Sequence, residues 1–113
     1  MADPTTLTPI QTTLAGAAPN LVAVDGVNGN RFLNSGKSFL HVKNDGASPI
    51  NVVAASVHNC NYGYDHDITV AVANGAEKMI GPFPRGRFND ANGYVVVTFS
   101  GATSVTAEVV EVP

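Results

Sequence analysis

Short apolar runs alternate with turn signals from residue 21 to the end of the chain. The separators include Asp25-Gly26 and Asn74-Gly75, and such pairs supply the positive φ angles of tight turns. The runs span residues 21–24, 38–42, 49–57, 68–73, 77–83, 94–99 and 104–112. Runs of this length and spacing, without a helical stripe in any segment, predict an all-β, two-sheet β-sandwich. We expect seven or eight strands in a jelly-roll-like or immunoglobulin-like arrangement.

Alternation inside the runs predicts which side chains point into the core. Successive residues of a strand point to opposite faces, so core-facing side chains recur at every second position. The predicted inward rows are Leu40 and Val42, then Ile68, Val70 and Val72, then Val95, Val97 and Phe99. Val96 is also apolar, although it lies on the opposite face of its strand. Either that strand is covered on both faces, or Val96 belongs to a contact between subunits.

Residues 1–20 differ from the rest of the chain in composition. They include three prolines, five threonines and a single charged residue. Proline and threonine favour extended backbone, and proline lacks the N–H that a central strand requires. We interpret the sequence as an extended N-terminal arm (1–20) followed by a β-sandwich domain (21–113). The arm is either a frayed terminus, an ordered strand of its own domain, or an anchor on a neighbouring subunit through Leu7, Ile10 and Leu14.

Charge is scarce and scattered along the chain. Charged residues make up 13% of it, and the formal net charge is −3. Only two of the six cationic residues, Arg85 and Arg87, lie close together. Nucleic-acid binding requires a clustered basic face, so we expect no nucleic-acid partner. Cys60 is the only cysteine, the first residues lack a signal-peptide pattern, and no apolar run reaches the roughly 20 residues that span a bilayer. We expect a protein made in a reducing cytoplasm, with no membrane partner.

The densest group of reactive side chains lies in the stretch 58–67. The candidate metal ligands there are His58, Cys60, Asp65, His66 and Asp67. A zinc site needs four ligands in tetrahedral geometry, but this spacing matches no paired-cysteine signature, and the EF-hand calcium pattern is absent. The favoured interpretation is a surface loop whose polar residues satisfy turns, and we expect no metal or cofactor.

The segment 81–90 carries the close pair Arg85 and Arg87 between prolines and glycines. Arginine binds carboxylates and phosphates with a planar, bidentate geometry and is enriched at protein interfaces. A phosphate loop would be followed by a helix, which the pattern does not predict. We therefore interpret the two arginines as candidate contacts between subunits. Since the chain carries no motif of serine hydrolases, zinc proteases or P-loop enzymes, we expect that it is not an enzyme.

Three segments, taken in order, resemble a known class of proteins. They are SGKSFLHVKNDGASPINVV, HDITVAVANGAEKMIGPFPRGRFND and NGYVVVTFSGATSVTAEVVEV, within residues 21–112. The order of features is a strand ending in HVKN, a GPF after a hairpin, then FND, and finally two Val-rich strands. In this order the chain resembles small β-sandwich virion structural proteins of tailed bacteriophages, of the capsid decoration or cement type. The resemblance implies a protein of the outer head surface that binds the major capsid protein, associates with itself as a homotrimer, stabilises the shell and has no catalytic residues.

Two further functions are open from the sequence. One is a head-tail joining or tail component, which belongs to the same class of virion proteins. The other is a module that binds cell-surface glycans, in which Tyr62, Tyr64 and Phe88 would serve as stacking platforms. Such modules usually expose more aromatic side chains than a chain with 7% aromatic residues and no tryptophan provides.

Overall fold

The computed structural model describes residues 3–56 and 67–112, and nearly all regular structure in these ranges is β-strand. The strands are β1 (Thr5–Thr6), β2 (Ile10–Gln11), β3 (Val22–Ala23), β4 (Asn30–Leu33), β5 (Ser38–Asn44), β6 (Ile50–Ala54), β7 (Ile68–Val72), β8 (Glu77–Ile80), β9 (Tyr94–Phe99) and β10 (Val105–Glu111). One turn of helix, α1 (Arg85–Phe88), lies between β8 and β9. No helix in this part of the chain is long and apolar enough to cross a membrane.

The strands form two sheets that pack against each other around a common core. Sheet A has the order β1-β4-β9-β6-β7, and sheet B has the order β2-β10-β5-β8, with β3 also paired to β10. The strand pairs are antiparallel, except that β1 runs parallel to β4 and β2 runs parallel to β10. From β4 onward, every connection but β6–β7 passes from one sheet to the other. The predicted all-β, two-sheet sandwich is confirmed.

The apolar runs locate seven of these strands, but not β1, β2 or β4. Strands β3 and β6 to β10 each lie in a predicted run, and β5 extends two residues beyond its run. In β4, Asn30 and Arg31 are polar, so the strand shows no apolar pattern. Asn30 is nevertheless fully buried, because its side-chain oxygen accepts the N–H of Asp25 at 2.9 Å and its amide donates to the carbonyl of Thr5 at 3.2 Å. Satisfied hydrogen bonds allow an amide side chain to lie at a core position.

The core follows the predicted alternation along the strands. The buried members of the predicted rows are Leu40, Val42, Val72, Val95, Val97 and Phe99. Ile68 and Val70 are half-buried and pack against this core. Burial of a Val, Leu or Phe side chain contributes about 1.5–3 kcal/mol, so facing rows of these residues stabilise the packing of the two sheets. The predicted inward rows are confirmed.

An aromatic cluster closes the end of the sandwich between β8 and β9. Phe83 packs between Phe32 and Phe88, with ring centroids 5.6 Å and 5.4 Å away. The amide of Asn34 donates to the Phe83 carbonyl and to the side-chain oxygen of Asn89, both at 2.8 Å. The segment 81–90 is therefore ordered by buried rings and paired amides, and it places α1 at this end of the molecule.

Residues 3–12 of the predicted arm lie on the chain's own sandwich. β1 pairs with β4, and β2 pairs with β10. Leu7, between these two strands, is 4% exposed and belongs to the core. Leu7 therefore stabilises its own domain and is not available as the predicted anchor on a neighbouring subunit. Of the three alternatives for this segment, the structure shows ordered pairing within the domain for these residues.

Candidate functional site

The outer face of sheet B carries an apolar groove. Alternation along β5, β8 and β10 turns one set of side chains away from the core, and the connection between β2 and β3 forms a second wall. The groove has a volume of about 300 Å³. It is lined by Ile10, Thr12, Ala17, Ala18, Pro19, Phe39, His41, Met79, Glu108 and Val110. Most of these side chains are apolar, and His41 and Glu108 are the ionisable members of the set.

His41 lies between two carboxylates at this groove. Its Nδ1 is 2.8 Å from Oε2 of Glu108, and its Nε2 is 2.9 Å from Oε1 of Glu77. The sheet register produces this arrangement, because His41 pairs with Glu108 of β10 and with Met79 of β8, two residues from Glu77. Each ring nitrogen therefore faces a carboxylate oxygen. Only the protonated imidazole donates to both oxygens at once.

The sequence analysis did not single out this cluster. His41 lies 67 residues from Glu108 and 36 residues from Glu77, so no local spacing connects them. What the sequence does show is an ionisable residue at an outward position in each of the strands β5, β8 and β10. These residues can be recognised as a cluster only when the order of the strands in the sheet is known.

The pKa of His41 is raised above its ordinary value of 6.5. Burial of the imidazole acts to lower the pKa, since desolvation disfavours the charged form. Hydrogen bonds and charges from Glu108 and Glu77 act in the opposite direction and outweigh the burial. The imidazole therefore keeps its proton to a higher pH than an isolated histidine does.

Glu108 connects this cluster to residues 13–21, which we name the 13–21 loop. The Glu108 side chain is only 4% exposed. Its Oε1 accepts the main-chain N–H of Asn20 at 3.0 Å. Among the hydrogen bonds of the described residues, the one from Asn20 to Glu108 joins the 13–21 loop to sheet B. The hydrogen bond from the N–H of Gly16 to the carbonyl of Thr13 closes a turn inside the loop. The carboxylate thus accepts hydrogen bonds from the loop on one side and from the imidazole on the other.

Large apolar side chains are exposed beside the groove. Leu14 lies in the turn of the 13–21 loop, and its side chain is fully exposed. Met79, on the sheet side of the groove, is 71% exposed. The other exposed large apolar side chains of the described residues are Val22, Val27, Leu33 and Val112. Exposed apolar side chains next to an apolar groove are typical of binding sites.

The predicted interface residues are spread over three surfaces. Ile10 lines the groove, and Leu14 belongs to the loop that forms its wall. Val96 is half-buried on the outer face of sheet A, on the opposite side of the sandwich. Arg85 is exposed in α1, whereas the guanidinium of Arg87 stacks 4.9 Å from the ring centre of the phenylalanine that follows it. Ile10 and Leu14 therefore lie at the groove and on the loop that borders it, whereas Val96 and the arginines lie elsewhere on the molecule.

Most of the predicted metal ligands lie outside the described residues, namely His58, Cys60, Asp65 and His66. Asp67 is described, and its Oδ1 accepts hydrogen bonds from the main-chain N–H and the hydroxyl of Ser56, at 2.8 Å and 3.0 Å. Within residues 3–56 and 67–112, no group of three or more His, Cys, Asp and Glu side chains is placed to hold a metal ion.

The structure describes one of the three aromatic residues that the glycan-binding hypothesis names. Tyr62 and Tyr64 lie outside the described residues. Phe88 is fully buried in the aromatic cluster at the end of the sandwich. Its ring is therefore not available to stack on a sugar.

Comparison with protein-family models, with curated proteins and with solved structures finds no match to this chain. Function is therefore inferred from the fold, from the groove on sheet B and from the resemblance carried by the three sequence segments.

Proposed function

We propose that this chain is a bacteriophage virion structural protein that decorates the outer surface of the capsid, binds the major capsid protein and stabilises the shell. The observation that supports this most is the apolar groove of sheet B, which includes the exposed Met79 and is bordered by the loop that carries the exposed Leu14. Exposed apolar surface of this kind on a folded domain usually marks a site of protein binding. A capsid shell offers such a surface the same partner at many equivalent positions.

The energetics favour attachment by several copies together. Burial of one side chain such as Leu14 or Met79 contributes about 1.5–3 kcal/mol, which by itself gives weak binding. A homotrimer that engages three shell subunits raises the effective concentration of the second and third contacts. We therefore infer a homotrimer, with Arg85, Arg87 and Val96 as contacts between its copies, because these residues lie away from the groove.

The charge distribution supports a position on the outside of the shell. The net charge is −3, and two carboxylates, Glu108 in the groove and Glu77 beside it, face one histidine. A surface of this sign is repelled by the phosphates of packaged nucleic acid. On the outer surface of the head, the protein does not face the phosphates of the genome, and this repulsion is absent.

Co-sedimentation with shells assembled from the major capsid protein of the same phage genome tests this proposal. Leu14→Asp and Met79→Lys place a charge on the apolar surface at exposed positions, so both variants should fold and should bind about tenfold more weakly, or worse. Val27→Asp is the matched control, because Val27 is 91% exposed but lies in a turn outside the groove. This control variant should bind like the wild type.

The outcomes separate the parts of the proposal. Failure of the wild type to bind any form of the shell would contradict the decoration role, and binding to isolated tails alone would favour a tail component. An equal loss of binding in all three variants would contradict the assignment of the groove face. Light scattering of the purified chain should give the mass of a trimer, and a monomer at every concentration would refute the self-association.

A further inference from the structure

We propose that His41, Glu77 and Glu108 form a proton-controlled clasp for the 13–21 loop. The protonated imidazole holds the loop against sheet B through Glu108 and Asn20. Loss of that proton loosens the loop and opens the groove that the loop borders. This inference concerns the chain itself and does not depend on which partner the groove face binds.

In the closed clasp, both carboxylate oxygens of Glu108 accept a hydrogen bond. The imidazolium of His41 donates to Glu108 through Nδ1 and to Glu77 through Nε2, over 2.8 Å and 2.9 Å. The other oxygen of Glu108 accepts the N–H of Asn20. A buried carboxylate is tolerated when a cation and hydrogen-bond donors surround it in this way.

Loss of the proton affects the two carboxylates unequally. A neutral imidazole has one N–H, so His41 then donates to one carboxylate and carries no charge for either. The side chain of Glu77 is 50% exposed and takes up water readily. Glu108 is 4% exposed although it lines the groove, so it takes up more water only if a neighbouring element moves. A buried carboxylate without a counter-charge destabilises the structure around it. The destabilised element is the one that keeps water from Glu108.

The 13–21 loop is the element least firmly held in front of Glu108. Its hydrogen bond to sheet B, among those of the described chain, is the one from Asn20 to Glu108 itself. On either side of the loop, the chain is held by main-chain pairing of β2 and β3 with β10. The loop therefore opens between two fixed ends, without unpairing a strand.

Among the described residues on this face of sheet B, Lys43 is the one further charged side chain. Lys43 is the next outward residue of β5 and pairs with Glu77 in the register of β5 and β8, but its Nζ lies 3.8 Å from a carboxylate oxygen of Asp45. The 13–21 loop, β2 and β3 contain no charged residue. The outward neighbours of the two glutamates on β8 and β10 are the uncharged Met79, Thr106 and Val110.

Amide hydrogen exchange measured by NMR tests the clasp in the full chain. The protection of the Asn20 amide, corrected for the intrinsic dependence of exchange on pH, should fall as the imidazole deprotonates above about pH 6.5. Because one proton is linked to the opening, the fall should reach at most about tenfold per pH unit. The amide of Thr12 is the internal control, since it donates to the main-chain oxygen of Glu111 at 3.0 Å and should keep constant protection.

Two variants separate the clasp from a general loosening of the fold. Glu77→Gln removes one carboxylate that favours the protonated imidazole, without touching the contact between Glu108 and Asn20, so the loss of protection should move to lower pH. His41→Gln should give an Asn20 protection that does not change over this pH range. A constant ratio of Asn20 to Thr12 protection in the wild type, or an unmoved midpoint in Glu77→Gln, would overturn the proposal. Glu77 is half exposed, so its variant decides the question even if His41→Gln fails to fold.

Discussion

The substitution His41→Leu removes the cation that faces Glu108. Glu108 then keeps the N–H of Asn20 as a donor, but its carboxylate lies at 4% exposure in a largely apolar groove. Removal of one partner of a buried ion pair costs about 3–5 kcal/mol. His41 is itself 15% exposed. Because some water therefore already reaches the pair, we expect His41→Leu to lower the free energy of unfolding by about 2–3 kcal/mol, below the full cost for a completely buried pair.

Removal of both charges should restore most of this stability. Glu108→Met leaves His41 paired with Glu77 and should change the free energy of unfolding by less than about 1 kcal/mol. The double variant places two apolar side chains in an apolar groove, and its free energy of unfolding should lie within about 1 kcal/mol of the wild type. The coupling energy between the two positions is then about 2 kcal/mol, far from additive.

Urea denaturation at about pH 6 measures these free energies without adding salt that screens the charges. With a slope of about 1.5–2 kcal/mol per molar urea, His41→Leu should lower the unfolding midpoint by about 1–2 M, and the double variant should recover it. A double variant as unstable as the sum of the two single variants would refute the reasoning, because the loss would then come from packing and not from an uncompensated charge.

The same cluster determines the sign of the pH dependence. The pKa of His41 is raised in the folded protein, so the folded state binds this proton more tightly than the unfolded chain does. The stabilisation is fully present below about pH 6.5 and is lost as the pH rises through the folded-state pKa. The urea midpoint of the wild type should fall over that window relative to that of His41→Leu. A difference between the two proteins that does not change with pH would contradict this assignment.

Three further predictions concern the N-terminal segment, two turns and one acidic side chain. Leu7→Ala should lower the free energy of unfolding by about 2–4 kcal/mol, because this core side chain is 4% exposed, whereas Leu14→Ala at a fully exposed side chain should change it by less than about 0.5 kcal/mol in the same urea assay. Gly29 and Gly75 have positive φ angles of 78° and 77°, but an added Cβ would lie 2.8 Å from a main-chain oxygen of β9 at Gly29 and in open space at Gly75. Gly29→Ala should therefore cost at least about 1 kcal/mol more than Gly75→Ala, and equal costs would contradict the close approach. Main-chain N–H groups of the following turn and a threonine hydroxyl lower the pKa of Asp25 from 3.8 to about 2. An NMR titration of its carboxyl group should show this value, and the stability it confers should be lost as the pH falls from 3.8 towards 2.

Local alternation was sufficient to identify the faces of most strands. Val95, Val97 and Phe99 point inward because the side-chain period of two is a property of any extended strand. β4 escaped this reasoning because Asn30 occupies a core position as a polar residue. The side-chain amide of Asn30 forms hydrogen bonds with the main chain of Asp25 and of Thr5. A pattern of apolar residues along the four-residue strand cannot reveal such partners.

The N-terminal segment shows the limit of the same reasoning. Leu7, Ile10 and Leu14 stood out as apolar side chains in a proline- and threonine-rich stretch. The three are nevertheless placed differently: Leu7 is buried in the core, Ile10 lines the groove and Leu14 is fully exposed. These outcomes depend on the pairing of β1 with β4 and of β2 with β10, which joins residues far apart in the chain.

Strand periodicity and turn residues act over a few neighbouring positions, so the amino-acid pattern was sufficient to predict the two-sheet sandwich and its inward rows. The groove and its ion pair depend instead on how the strands are arranged in sheet B. His41 and Glu108 meet because β5 and β10 are adjacent in sheet B and in one particular register. A shift of a strand by a single residue would turn its outward side chains towards the core, and that register is set by packing across the whole sheet.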